Sequence, residues 1–157
     1  MDEYKPLTDK EVKVVTKLVE ELLGRLDISA TAIVSEQEGI IDVILETEDS
    51  GILIGYHGEI LESLQLVIAL LAAKKLGRFF RVSLEIGDYK KNRISYLETL
   101  ARQTKDRVLD ENRDHTISSL KSWERRIIHM MLKEDDEVTS ESVGEGRDRV
   151  LIVRPKQ

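Results

Sequence analysis

The chain has 157 residues, 41% of them apolar and 34% charged, with no cysteine and a formal net charge of −6. That is material for one domain or two small ones with packed cores rather than a disordered chain, and the missing thiols exclude disulfides, thiolate metal sites and cysteine nucleophiles and fit a reducing compartment. No apolar run reaches the ~18 residues of a membrane span, and Met1–Pro6 lacks the basic and apolar regions of a signal peptide, so a cytoplasmic chain is expected.

Acidity by itself argues against a nucleic-acid partner, but its distribution does not. Residues 1–75 carry 7 Lys+Arg against 15 Asp+Glu, whereas 76–133 carry 13 against 8. A local basic face can bind a polyanion on an acidic protein. The alternative is that these charges only solvate helix surfaces.

Thr8 and Glu11 form a T-x-x-E capping box, with Leu7 and Val12 at the positions of a hydrophobic staple. Val12, Val15, Leu18, Val19, Leu22 and Leu23 then share one helical face, which Gly24 ends. Residues 30–34 and 40–46 read as strands about a turn at Glu36–Gly39, with Ile41, Val43 and Leu45 on one face. A short helical turn opening at Asp49 leads into Gly55-Tyr56-His57-Gly58. The next helix runs from Glu59 to near Gly77, with Leu61, Leu64, Val67, Ile68 and Leu71 as its apolar stripe. Phe80, Val82, Leu84 and Ile86 alternate with Arg81, Ser83 and Glu85, the pattern of a half-buried strand.

Gly87-Asp88 marks a boundary, and Asp88 is a good N-cap. A long helix is predicted over Tyr89–Glu111. It buries Ile94, Leu97, Leu100, Ala101, Thr104 and Val108 and exposes Lys90, Lys91, Arg93, Arg102, Lys105 and Arg107. Asn112–Asp114 breaks it, and Thr116–Ser118 reads as a short strand. A further helix covers Ser122–Lys133, capped by Ser119 or Ser122, and offers Ile127, Ile128, Met131 and Leu132 to a core. Val138–Val143 and Arg149–Arg154 form a hairpin about Gly144–Asp148, stopped by Pro155. The expected fold is α+β, in two small domains over 1–87 and 88–157. Each packs helices on a three-stranded sheet or ribbon.

Two spacings carry chemistry. Gly55-x-x-Gly58 joins two helices: glycines allow a tight turn and close approach, and the next helix begins with free amides and the positive end of its dipole, which suit a phosphate. About 0.46 such spacings arise by chance in this composition, so the motif alone is weak and a plain turn is the alternative. Arg125 and His129 lie at i and i+4 on one helix face, a planar fork and a ring donor suited to phosphate oxygens. Here too the structural alternatives stand: Arg125 paired with a carboxylate, His129 a satisfied, partly buried ring. His57, His115 and His129 show no zinc-binding spacing. Glu134–Glu137 reads as a solvated turn. Gly144–Gly146 sits in a hairpin, not at a helix start. There is no Walker loop and no nucleophile elbow. No metal, cofactor or enzymatic activity is expected, and a nuclease lacks a carboxylate cluster on a rigid element.

The order helix, strand, strand, helix, Gly-x-x-Gly, helix, strand resembles a type II KH domain. That resemblance implies a groove for about four single-stranded nucleotides and assigns contacts to Gly55, Tyr56, His57 and Gly58. Basic residues commonly fill the two middle positions in active members. Tyr56 and His57 imply weak or sequence-tolerant binding instead. Trp123-Glu124-Arg125-Arg126-Ile127-Ile128-His129, followed by Val138–Ser142 and Gly144-Glu145-Gly146-x-Asp148-Arg149, looks like the Arg-three-His domain, which binds single-stranded nucleic acid. The two in this order resemble the Jag family of bacterial RNA-binding proteins, also called SpoIIIJ-associated proteins. That resemblance implies a non-catalytic RNA chaperone or post-transcriptional regulator, with the family's N-terminal Jag-specific domain expected to be either absent or removed. Phosphate contacts are expected from the Gly55–Gly58 loop, Arg125, Arg126 and His129, with Lys90, Lys91 and Arg93 beside them. Single-stranded RNA, or single-stranded DNA, is the expected partner. The acidic first half leaves another reading open: an adaptor for a second small KH protein or for another copy of itself.

Overall fold

The computed structural model describes residues 6–156. The amino-terminal stretch weighed above as a signal peptide lies, apart from Pro6, outside them. The chain divides into two compact units, Met1–Tyr89 and Lys90–Gln157. No helix among the described residues is long and apolar enough to cross a membrane.

The first unit runs α1 (Asp9–Gly24), β1 (Thr31–Gln37), β2 (Ile40–Glu46), α2 (Ser50–Ile54), a 3-10 turn (Tyr56–Gly58), α3 (Glu59–Leu76) and β3 (Arg81–Ile86). The capping box starts α1 as the sequence predicts: the Glu11 amide donates to the Thr8 hydroxyl, and the Glu11 carboxylate accepts from the Thr8 amide at 2.8 Å. Val15, Val19 and Leu23 recur every four residues and form its buried stripe. β1 and β2 pair antiparallel about Glu38-Gly39. Both turn residues have positive φ, 50° and 84°, as a two-residue hairpin turn of the right twist demands. β2 then pairs in parallel with β3, Ile41 opposite Val82 and Leu45 opposite Ile86. A parallel pair needs a crossover. Here α2, the glycine loop and α3 supply it, which is what places the loop between two helices.

Ile41, Val43, Leu45, Val82, Leu84 and Ile86 turn one sheet face onto α1 and α3. One expectation fails on α3. Leu64, Ile68 and Ala72 are buried, but Val67 is exposed with Ile60, Leu66 and Leu70. The helix is apolar on both sides, so periodicity alone cannot choose its buried face.

The second unit contains α4 from Lys90 onward (helix Tyr89–Glu111), β4 (His115–Ile117), α5 (Ser122–Leu132), β5 (Val138–Val143), a 3-10 turn (Gly146–Asp148) and β6 (Val150–Pro155). Its antiparallel sheet has the order β4-β6-β5. Leu97, Ala101, Val108, Ile128, Leu132, Val138, Leu151 and Val153 make the core.

Four local expectations change here. Arg93, read as exposed, is buried on α4, where Nε donates to Glu124 Oε1 at 2.7 Å, while Ile94 is only half-buried. Lys105, also read as exposed, is half-buried between Asp135 and Glu137. Neither serine caps α5. The N-cap is Lys121, whose amide donates to Glu124 Oε2 at 2.8 Å, because Ser119 turns the chain with φ 59° and Ser122 is already helical. On α5 itself Glu124 and Arg125 occupy buried positions, and Met131 is exposed.

Candidate nucleic-acid interface

The glycine loop is built by backbone geometry that side chains oppose. Gly55 has φ 67° and ψ −169°, a region open essentially to glycine. A Cβ there would lie 2.5 Å from the Ile60 side chain. Gly58 is left-handed at φ 78°, and a Cβ on it would meet the Tyr89 hydroxyl at 2.8 Å. His57 is left-handed as well, at φ 49°. Tyr56 and His57 stack with ring centroids 4.0 Å apart and planes 18° from parallel, and Tyr56 is 70% exposed. α3 begins at once at Glu59. No side chain caps it, since the N-cap is Gly58. The Glu59 amide donates to the Tyr56 carbonyl of the preceding 3-10 turn, so backbone rather than a side chain closes the helix start. Glu59 and Glu62 add two carboxylates to the same turn, which weaken its pull on an anion. The loop thus presents a stacked aromatic pair beside a helix start that no side chain caps.

The Arg-x-x-x-His pair divides between two roles. Arg125 was expected on an exposed face and is buried: Nη1 donates to the Leu120 carbonyl at 2.5 Å and Nη2 to Ser122 Oγ at 3.1 Å. Ser119, at φ 59°, bends the chain just before that carbonyl, and the Arg125 side chain reaches back to it from the first turn of α5. Arg125 therefore holds the α5 entry. His129 is exposed, and its Nδ1 lies 2.8 Å from Ser140 Oγ on β5. Arg126, three residues before His129, is exposed beside it, and Lys133 follows one turn on. Spacings of three and four place Arg126, His129 and Lys133 on one face. Sequence reasoning passed over Lys133 and Ser140. The phase of β5 was the available signal for Ser140, since it shares a strand face with the buried Val138.

Arg93, like Arg125, is buried; its guanidinium is matched by the Glu124 carboxylate, whereas that of Arg125 meets a neutral carbonyl and a hydroxyl. Lys90 and Lys91 stay exposed in the first turn of α4, which holds no acidic residue. Their charge adds to the positive end of that helix.

The comparisons agree with this architecture. The model of the KhpA/KhpB KH domain matches residues 12–86, and that of the Arg-three-His domain matches 95–155. The chain is 33% identical over 151 residues to RNA-binding protein KhpB of Clostridium symbiosum, covering 96% of this chain and 67% of that protein. It is 32% identical over 139 residues to the protein of that name from Streptococcus pneumoniae serotype 2, covering 88% and 42% respectively. For that of Bacillus subtilis the values are 26% over 142 residues, 89% and 66%. The chain spans about two fifths of the length of the pneumococcal relatives it matches. A KH domain of the KhpA/KhpB type followed by an Arg-three-His domain, with this identity along nearly the whole chain, places it in the KhpB family, the Jag family that its motifs resemble.

Proposed function

We propose that the chain binds single-stranded RNA, or single-stranded DNA, without catalysis, as a cytoplasmic RNA chaperone or post-transcriptional regulator. It does so through two modules, residues 1–87 and 88–157. The observation that carries the reading is the Gly55–Gly58 loop, where glycines at positive φ bring the stacked Tyr56–His57 pair, with Tyr56 exposed, to a start of α3 that no side chain caps. An aromatic face takes a base or sugar, and helix amides take a phosphate. In the second module Arg126, His129, Lys133, Lys90 and Lys91 supply exposed cationic or donor groups. The name that the relatives carry, RNA-binding protein KhpB, supports the same reading. Titration of a fluorescein-labelled single-stranded RNA, followed by anisotropy at several salt concentrations, tests it. Affinity should fall with a log–log slope of about 0.7 per phosphate contacted, and the RNA should be recovered intact. No binding at low salt, or salt-independent binding, overturns it.

A second reading is favoured by one observation. Leu66, Val67 and Leu70 expose an apolar face on α3 in the acidic first unit, which suits a protein partner such as a second small KH protein or another copy. Light scattering of the nuclease-treated chain alone, and of Leu66→Glu, separates self-association from RNA-bridged complexes.

A further inference from the structure

Ser140 lies on β5 opposite Val153 of β6, on the strand face that it shares with Val138, and is 8% exposed. A hydroxyl among valine and leucine side chains is costly unless it is hydrogen-bonded. Its partner is the His129 ring, Nδ1 to Oγ 2.8 Å, and the described residues give the Ser140 side chain no other hydrogen bond. The hydroxyl hydrogen needs an acceptor, since buried donors in folded proteins find one. Nδ1 is that acceptor when it carries no proton, which leaves the ring proton on Nε2. The ring is therefore fixed at one nitrogen by a buried strand residue while the residue as a whole stays exposed.

We infer that Ser140 is a positioning residue for His129: by donating to Nδ1 it holds the neutral ring in the Nε2–H form and aims that N–H outward as a ready phosphate donor beside Arg126. This rests on the reading of the α5 face as a nucleic-acid contact. Without Ser140 the ring can rotate about its side-chain bonds and exchange tautomers, and some of its forms present a lone pair where the phosphate oxygen needs a donor. A nucleophilic role for the same pair is disfavoured by the geometry, because Oγ sits on the inner face of the sheet and is closed off from substrate.

The test uses the full chain, with histidine ring nitrogens labelled with nitrogen-15 and long-range proton–nitrogen spectra recorded where the rings are neutral. Wild type should show His129 as the Nε2–H form and Ser140→Ala a tautomer mixture, with Ser140→Thr restoring the wild-type pattern. Affinity for a fluorescein-labelled oligouridine should fall on the order of fivefold in Ser140→Ala and recover in Ser140→Thr. A wild-type Nδ1–H form, or an unchanged tautomer in Ser140→Ala, overturns the inference. Should Ser140→Ala fail to fold, the wild-type and Ser140→Thr spectra decide. Weaker binding by His129→Ala but not by Ser140→Ala overturns the inference alone. Unchanged binding by His129→Ala overturns the contact reading together with it.

Discussion

Arg93 and Glu124 form an ion pair inside the second unit: Nε donates to Oε1 at 2.7 Å, the carboxylate is fully buried, and its other oxygen accepts the Lys121 amide. One carboxylate thus ties α4 to α5 and caps α5 at once. The Arg93 guanidinium also lies 4.9 Å from the centre of the Tyr96 ring, so an edge and a face of it are both engaged by protein.

Removing one member of this pair leaves a buried charge unmatched. Arg93→Ala and Glu124→Ala should each lower unfolding stability by about 3–5 kcal/mol. The double variant Arg93→Met/Glu124→Leu should recover a large part of that loss. Urea unfolding followed by circular dichroism measures all three. Equal losses in the single and double variants would show that the pair contributes through packing alone.

Arg125 and Arg126 are adjacent in sequence and opposite in expected effect. Arg125→Ala strips the Leu120 carbonyl of its donor and should cost about 1–3 kcal/mol of stability, with RNA affinity retained by the folded fraction. Arg126→Ala should leave the melting temperature unchanged and weaken RNA binding on the order of fivefold. Thermal melts and RNA titrations of both variants check this. The reversed pattern would return Arg125 to the binding surface.

The glycine loop separates folding from binding. Gly58→Ala forces a Cβ against Tyr89 at positive φ and should cost about 1–3 kcal/mol. Tyr56→Asp/His57→Asp keeps both glycines and should preserve the melting temperature while repelling phosphate. If RNA affinity survives that double change, the loop is only a turn.

Acid should expose a further tie. Lys105 Nζ lies 2.6 Å from Asp135 Oδ2, and the amides of Glu137 and Val138 donate to Asp135 Oδ1. The lysine first, then these amides, hold the Asp135 carboxyl below its ordinary 3.8. A depressed carboxyl stabilises the fold fully above its unfolded value and loses that contribution as pH falls through the folded one. Wild type should therefore exceed Asp135→Asn in urea midpoint at neutral pH, and the gap should close as pH falls below 3.8. A gap that stays constant on acidification would assign the stabilisation to hydrogen bonding rather than to charge.

What the chain determines by itself is what a few neighbouring residues can satisfy. Thr8 and Glu11 complete their cap within three residues, Glu38-Gly39 makes its own turn, and Ile41, Val43 and Leu45 share a face by strand alternation. The Gly55-x-x-Gly58 and Arg125-x-x-x-His129 spacings were legible for the same reason. Only the tertiary structure decided which charges stay in water. Charge by itself predicts exposure, and it is a carboxylate 31 residues away that draws Arg93 inside. Arg125 is buried where its side chain reaches back to the Leu120 carbonyl, just after the bend at Ser119. Val67 is exposed because α3, apolar on both sides, takes its orientation from the sheet it packs on. Ser140 meets His129 because β5 and α5 pack together, 11 residues apart in sequence and one hydrogen bond apart in space. Local signals resolve within one helical turn or one strand pair, whereas the burial of a charge or hydroxyl depends on partners that only the closed core brings near.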